Sequence, residues 1–528
     1  MKLKALLLGT AMAATGLAVA APADAQNVIR WASASDALSL DPMAQNEGPT
    51  SQMLVQIYDT LIERDLNLAK RPGLAVSWMA ADEDTWELQL REGVVFHNGN
   101  PFMANDAVFS LNRAMTEPSD FRNYLSSVTS VEAVGDYTIH VHTNGPNPIL
   151  PDWLTGVFIM DEEWSIENDV ETAQDFAAGE ENFAVRNANG TGPYMVESRQ
   201  PDVETVLVKN TTYWGADEFP NEADQIIYTP VGSAATRVAA LLSGEIDFIS
   251  DPPTQDLGRM SADPAVDVVD VNQIRTIFFG MNVASDDLEN DSIEGVNPFQ
   301  DIRVREAFYR AINIEAIQQV VMRGLSVPAG MITSPGVNGY TPELDTRLDY
   351  DIDAAAMLLA EAGYPDGFSI TLHCPNDRYV NDEAICTAAA GMLGQIGIDV
   401  NLISQPRSIH FAELQQGVQD FYMLGWGVPT YDSEYVFNFL YHTPDGNRGS
   451  WNFTGYSNTD VDANIVAMAS EVDLDARNAI IQATWEAVIP EYTYIPLHHQ
   501  IISWAMADGI SIPIRANDQA LFKYATFE

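Results

Sequence analysis

The sequence predicts an α/β protein with more than one core, and three observations carry that reading. A strand from Ser369 to His373 is followed by a helix near Glu383 to Ile396 and then a strand from Ile398 to Ile403, the alternation of an α/β layer. The chain has 528 residues, too many for a single core, and 46% of them are apolar, which is ample for two. The stretch Arg91 to Arg113 places a strand, a tight turn and a helix in one compact unit.

In order along the chain, the N-terminus comes first. Lys2 and Lys4 precede an apolar run from Ala5 to Ala21, and Ala23-Asp24-Ala25 supplies the small residues a signal peptidase reads, so the mature chain is expected to begin at Gln26. No Cys lies near that point, which disfavours a lipid anchor, and no later apolar stretch is long enough to cross a bilayer. A soluble periplasmic protein of a two-membrane bacterium is the expected product.

Removing residues 1–25 leaves 24 basic against 74 acidic residues, a formal net charge of −50. Only Lys70, Lys209 and Lys523 remain as lysines. Binding to nucleic acid or to anionic lipid depends on clustered Lys and Arg that displace counterions, so such partners are excluded. The dispersed acidity fits adaptation to salt and equally fits simple solubility.

Val94, Val95 and Phe96 are strand formers, Asn98-Gly99 is a turn dipeptide, and Asn105 is expected to cap a helix whose apolar stripe is Ala107, Val108, Leu111 and Ala114. Val304 to Gly324 reads as helix, turn and helix, with Asn313 capping the second piece and Gly324 ending it. No repeat of solenoid or propeller length is present.

Six motifs stand in a characteristic order: Tyr58-Asp59-Thr60-Leu61, the Arg91 to Arg113 unit, Gly190-Thr191-Gly192-Pro193-Tyr194, Val304-Arg305-Glu306-Ala307-Phe308, Gly363-Tyr364-Pro365-Asp366-Gly367-Phe368 and Asn452-Phe453-Thr454-Gly455-Tyr456-Ser457. In this series the mature chain resembles the extracytoplasmic solute-binding proteins of the peptide/nickel/opine class of ABC importers. That resemblance implies a two-lobed periplasmic binding protein fold with an extra subdomain inserted in the first lobe. It places the first lobe at 26–72, 191–282 and 501–528, the insert at 73–190 and the second lobe at 283–500, with the hinge near Met281-Asn282 and Gln500-Ile501. It also implies a monomer that hands a small-molecule ligand to an importer permease, a peptide or similar organic solute by default, with an opine, an oligosaccharide or a nickel complex as the alternatives.

In open α/β sheets, ligands sit outside the carboxyl ends of strands. Two loops of the proposed second lobe meet that condition, Cys374 to Asp382 after one strand and Trp426 to Ser433 after the apolar run Phe421 to Leu424. They offer Arg378 as a planar donor fork, Asn376 for hydrogen bonding, and Tyr379, Trp426 and Tyr431 as flat walls. The resemblance implies that Arg378 receives a ligand carboxylate; the alternative is that it pairs with Asp377 or Asp382 and fixes the loop. Asp432 is a ligand candidate and also a good N-cap for the helix that follows. Peptide binders of this class usually carry an Asp three residues after the loop Trp, where it takes the peptide amine, and here that position is Pro429. Asn46, between a strand Val28 to Ser33 and a helix after Ser51, is a first-lobe candidate. Trp426 and Trp451 read either as stacking platforms or as core.

No metal site or cofactor is expected. His498 and His499 are adjacent on a strand and point to opposite faces, and His97, His140, His142 and His410 show no ligand spacing with cysteine or with one another. Cys374 and Cys386, twelve residues apart in an oxidising compartment, are expected to form a disulfide, with two free buried thiols as the alternative. The sequence has no nucleophile elbow, phosphate loop, zinc-protease motif or dinucleotide fingerprint, so an enzyme is disfavoured. A binding protein dedicated to sensing or chaperoning leaves the same sequence marks as one dedicated to import.

Overall fold

The computed structural model describes residues 26–528 apart from 177, 289–292, 294 and 447. The leader expected at 1–25 lies outside the described residues. Among those described, no helix is long and apolar enough to cross a membrane.

The main sheet has eleven strands. It begins with β1 (Val28–Ser33). After a short two-stranded pair, Ile62–Arg64 with Lys70–Pro72, the strands β2 (Ala75–Asp82), β3 (Thr85–Leu90), β4 (Val128–Gly135) and β5 (Thr138–Thr143) form a separate antiparallel sheet in the order β2-β3-β5-β4. The chain then returns to the main sheet with β6 (Tyr194–Gln200), β7 (Glu204–Lys209), β8 (Gln225–Pro230) and β9 (Phe248–Ser250). After β10 (Val266–Met281) come β11 (Ser369–Pro375), β12 (Asp399–Gln405), β13 (Phe421–Gly427) and β14 (Tyr494–Ala507). The path through the main sheet is β12-β11-β13-β10-β14-β9-β1-β8-β7-β6, and the short strand Ser326–Pro328 also pairs with β14.

β10 and β14 are the two long strands, with 16 and 14 residues, and they run through both halves of the molecule. One half of their ribbon pairs with β13 and sits over the core that contains Phe279, Phe308, Phe421 and Ile495. The other half pairs with β9 beside the core of Ala32, Val238, Ile249 and Ala505. The ladder between them breaks register between Asn272 and Thr276, opposite Ile501 and His499. A bulge is where an antiparallel ribbon bends. On β10 this break comes earlier than Met281-Asn282, because β10 stays hydrogen-bonded to β13 as far as Met281.

Local chemistry explains most element ends. The Asn313 side chain accepts from Ala316 N and caps a short helix, and Gly324, at φ 88°, ends the turn after it. The helix Ala104–Ala114 begins earlier than expected. The N-cap position is Met103, not Asn105, and Asp106 in the first turn reaches back to accept from Met103 N at 2.8 Å. Val94 to Phe96 makes only a bridge to Pro101 around the Asn98-Gly99 turn, where Gly99 has φ 95°. β13 runs to Gly427, so Trp426 stands at the end of a strand and not in the loop. Cys374 and Cys386 are joined by a disulfide that ties β11 to the helix Asp382–Leu393.

Candidate functional site

A cavity of about 1190 Å³ opens between the two halves of the main sheet. Its floor is the β10–β14 ribbon at Gln273–Arg275 and Gln500–Ser503. One wall is built by loops after β11 and β13, which leave parallel or ribbon strands at their carboxyl ends, and it holds Arg378, Tyr379, Trp426 and Tyr431. The opposite wall follows β1 and β9, which pair in parallel, at Ser33–Ser35 and Ser250–Asp251. The C-terminal segment supplies Arg515, Asn517 and Asp518.

The two walls touch at the rim. Arg64 donates to Thr430 O at 3.2 Å and lies 3.9 Å over the Tyr431 ring, while Asp152 holds both Arg64 and Lys70 at 2.7 and 2.6 Å. Trp153 meets Tyr435 with centroids 5.8 Å apart. Asn381 reaches Thr254 at 3.4 Å. These contacts describe a closed cleft.

The sequence-derived candidates separate into two groups. Arg378, Tyr379, Trp426, Tyr431 and Asn46 all line the cavity. Asp377 and Asp382 do not hold the Arg378 guanidinium: Asp382 accepts from the backbone N–H groups of Arg378 and Tyr379 at 2.9 and 3.0 Å, and Asp377 accepts from Arg407 N. The Arg378 guanidinium instead lies 5.2 Å from the Tyr379 ring centre and faces the cavity. The Tyr379 hydroxyl accepts from Gly425 N at 2.8 Å, which fixes its ring as a wall. Trp426 packs on Tyr435, Phe439 and Trp451, and Trp451 lines the cavity too, so both tryptophans are part core and part wall. Asn46 donates to the Tyr124 hydroxyl at 3.1 Å.

Asn376 and Asp432 are corrections. Asn376 is exposed over the helix Asp382–Leu393, in a shallow depression with Asp382 and Thr387, because its amide continues the ladder to Gln405 O and carries it past the cleft. Asp432 is buried away from the cavity lining. Its carboxylate accepts two bonds from Arg477 at 2.6 and 2.8 Å, one from Asn338 at 2.9 Å and the capping bond from Glu434 N at 2.9 Å. No oxygen is left for a ligand amine, and it does not replace the acid missing at Pro429, which does line the cavity.

Of the first-half wall, sequence reasoning reached only Asn46. Ser250 Oγ, Arg515 Nε and Trp426 Nε1 are buried polar atoms without hydrogen-bond partners, and all three residues line this one cavity. Buried polar atoms are nearly always paired, so a cluster of orphans around a cavity marks groups arranged for a guest. Applying the strand-end rule to β1 and β9 as well would have found Ser250 and Asp251. Nothing local marks 515–518.

The electrostatics run in one direction. Burial and the like charge of Arg378 push Arg275 down to about 10. Burial and neighbouring Asp251 push Asp518 well above the carboxylate range, and the desolvating walls of the cleft raise Asp251 as well. Two guanidiniums, Arg275 and Arg378, and two carboxyl groups, Asp251 and Asp518, therefore line one cavity, a set able to hold a carboxylate at one end of a guest and an amine at the other. Elsewhere in the cleft, Asp59 is pushed up to about 6 by burial, with Glu63 adding to it, and Lys523 sits between the Glu63 oxygens at 3.0 and 3.1 Å.

Residues 70–448 match the family of bacterial extracellular solute-binding proteins, family 5, and the chain belongs to that family. It is one of binding proteins. The glutathione-binding protein GsiB of Salmonella paratyphi A is 26% identical over 504 residues, covering 92% of each chain. Among solved structures, the periplasmic binding protein DppA of Helicobacter pylori, in complex with the peptide STSA, superposes with a TM-score of 0.77 at 21% identity, over 95% of this chain and 98% of that one. NikA of Staphylococcus aureus, in complex with Ni(L-His)2, gives 0.74 at 20% identity, over 95% and 100%. The fold is therefore that of the two-lobed periplasmic binding proteins of this type.

Proposed function

We propose that this protein is the ligand-capturing subunit of an ABC importer and that its cargo is an anionic, peptide-like solute held between the two halves and passed unaltered to a permease. The observation that carries the reading is the set of unpartnered polar atoms around one closed cavity, which Arg275 and Arg378 also line. A ligand carboxylate at Arg378 satisfies the guanidinium, and the Trp426 indole N–H and the Asn517 carbonyl serve an extended amide backbone. A peptide amine is met from the first-half wall, by Asp251 and Asp518, because the loop position used for it in peptide binders is Pro429. The glutathione-binding relative fits this charge pattern, since glutathione is a small peptide with one carboxylate more than a simple tripeptide.

Release follows from rotation at the register break in the β10–β14 ribbon, which opens the rim contacts of Arg64 and Trp153. Pro429 also favours a second reading, a modified solute without a free amine, such as an opine.

The test is a thermal-shift and calorimetric panel of glutathione, di- and tripeptides, opines, oligosaccharides and nickel complexes, because a ligand that binds only the folded form raises the melting temperature. Arg378→Ala is expected to weaken the anionic hit by about one to two orders of magnitude, the loss of a charge-assisted pair of roughly 1.5–3 kcal/mol. Unchanged affinity removes Arg378 from the site, and stabilisation by a nickel complex alone overturns the choice of cargo.

A further inference from the structure

We propose a second binding site, for a divalent ion of the zinc, nickel or copper type, on the outer face of the four-stranded sheet, made by His140, His142 and Glu132 with Glu87 beside them. Glu132, His140 and His142 are the one cluster of at least three metal-ligating side chains among the described residues, and their ligand atoms all lie within 4.8 Å of one another. None of the four residues lines the cleft.

The sheet register builds it. On β5 the residues alternate, so Ile139 and Val141 go to the core while His140 and His142 share the outer face. The sequence shows no ligand spacing between these histidines; the spacing that matters is the two-residue period of a strand. In the neighbouring strands, Glu87 of β3 and Glu132 of β4 both stand opposite His140. His140 Nε2 is 3.1 Å from Glu87 and His142 Nε2 is 3.3 Å from Glu132.

Two features distinguish this group from an ordinary acidic surface. Imidazole with carboxylate is a donor set for borderline transition ions, whereas calcium and magnesium take oxygen alone. The second feature is that His142 is already oriented: its Nδ1 is 3.0 Å from the hydroxyl of buried Thr85, which turns Nε2 outward toward Glu132. A hydrogen bond to the non-ligating nitrogen is how proteins aim a metal-binding histidine. A tetrahedral ion with donors at about 2.0–2.1 Å holds them about 3.3 Å apart, a contraction within reach of half-exposed side chains. The ion would join the edge strand β4 to β5 and stabilise the inserted sheet.

The experiment is titration of the tag-free mature protein with zinc chloride by calorimetry at physiological salt, where screening over about 8 Å suppresses diffuse attraction to the acidic surface. One saturable equivalent is expected, together with a higher melting temperature. His140→Gln combined with His142→Gln should weaken it at least about tenfold, with the circular dichroism spectrum retained, and Arg378→Ala should leave it intact. Cobalt titration gives a second readout, since imidazole ligation produces visible absorption bands that the double variant must lack. Uptake that is unchanged in the double variant, or only weak uptake at many places that disappears with salt, overturns the proposal.

Discussion

Asp432 gives the sharpest test of structure against sequence, because the two assign it different work. Its carboxylate and the Arg477 guanidinium have side chains only 8% and 2% exposed and form two hydrogen bonds, and Asp432 also caps the helix Ser433–Val436. Replacing it by Ala removes an N-cap of about 1 kcal/mol. It also strands a buried guanidinium, which costs about 3–5 kcal/mol. A loss of about 4 kcal/mol is therefore the lower estimate, and at about 2–4 °C per kcal/mol for a domain of some 200 residues the melting temperature falls by roughly 10 °C. Calorimetric melting and guanidinium titration measure this directly. Asp432→Leu with Arg477→Leu should recover much of the stability, because replacing both members of a buried pair by apolar groups removes the stranded charge. Ligand affinity of the folded protein should be unchanged. A small stability loss accompanied by a large affinity loss would refute the reasoning and return Asp432 to the ligand.

Two other outcomes follow. Replacing Cys374 and Cys386 together by Ser opens a loop of twelve residues, and the lost constraint on the unfolded chain is about 3 kcal/mol, read as a lower denaturation midpoint without a change in secondary structure. His498 is fully buried with both ring nitrogens unpartnered, and burial lowers its pKa to about 3. Below about pH 6.5 the unfolded chain takes up a proton that the folded chain refuses, so stability is lost as pH falls from about 6.5 toward 3, at up to about 1.4 kcal/mol per unit. His498→Leu should flatten that part of the acid-denaturation curve; a curve as steep as the wild type would assign the acid sensitivity to other groups.

Much of this protein was legible in its linear order, and the legible part is local. The alternation over 369–403 became β11, a helix and β12, the Asn313 cap and the Gly324 stop hold as read, and the strand-end rule brought Arg378, Tyr379, Trp426 and Tyr431 to one cavity. Periodicity, caps and turns act over a few residues, so they are written in short stretches of chain. What only the tertiary structure decided are encounters between distant segments. Arg275 and Asp518 come to line one cavity, Asp432 is claimed by Arg477, and Glu132 and Glu87 flank His140 from two neighbouring strands. In each case a charged or ligating group takes its role from the partner brought beside it, and that partner is set by sheet register and chain return, not by neighbours in sequence.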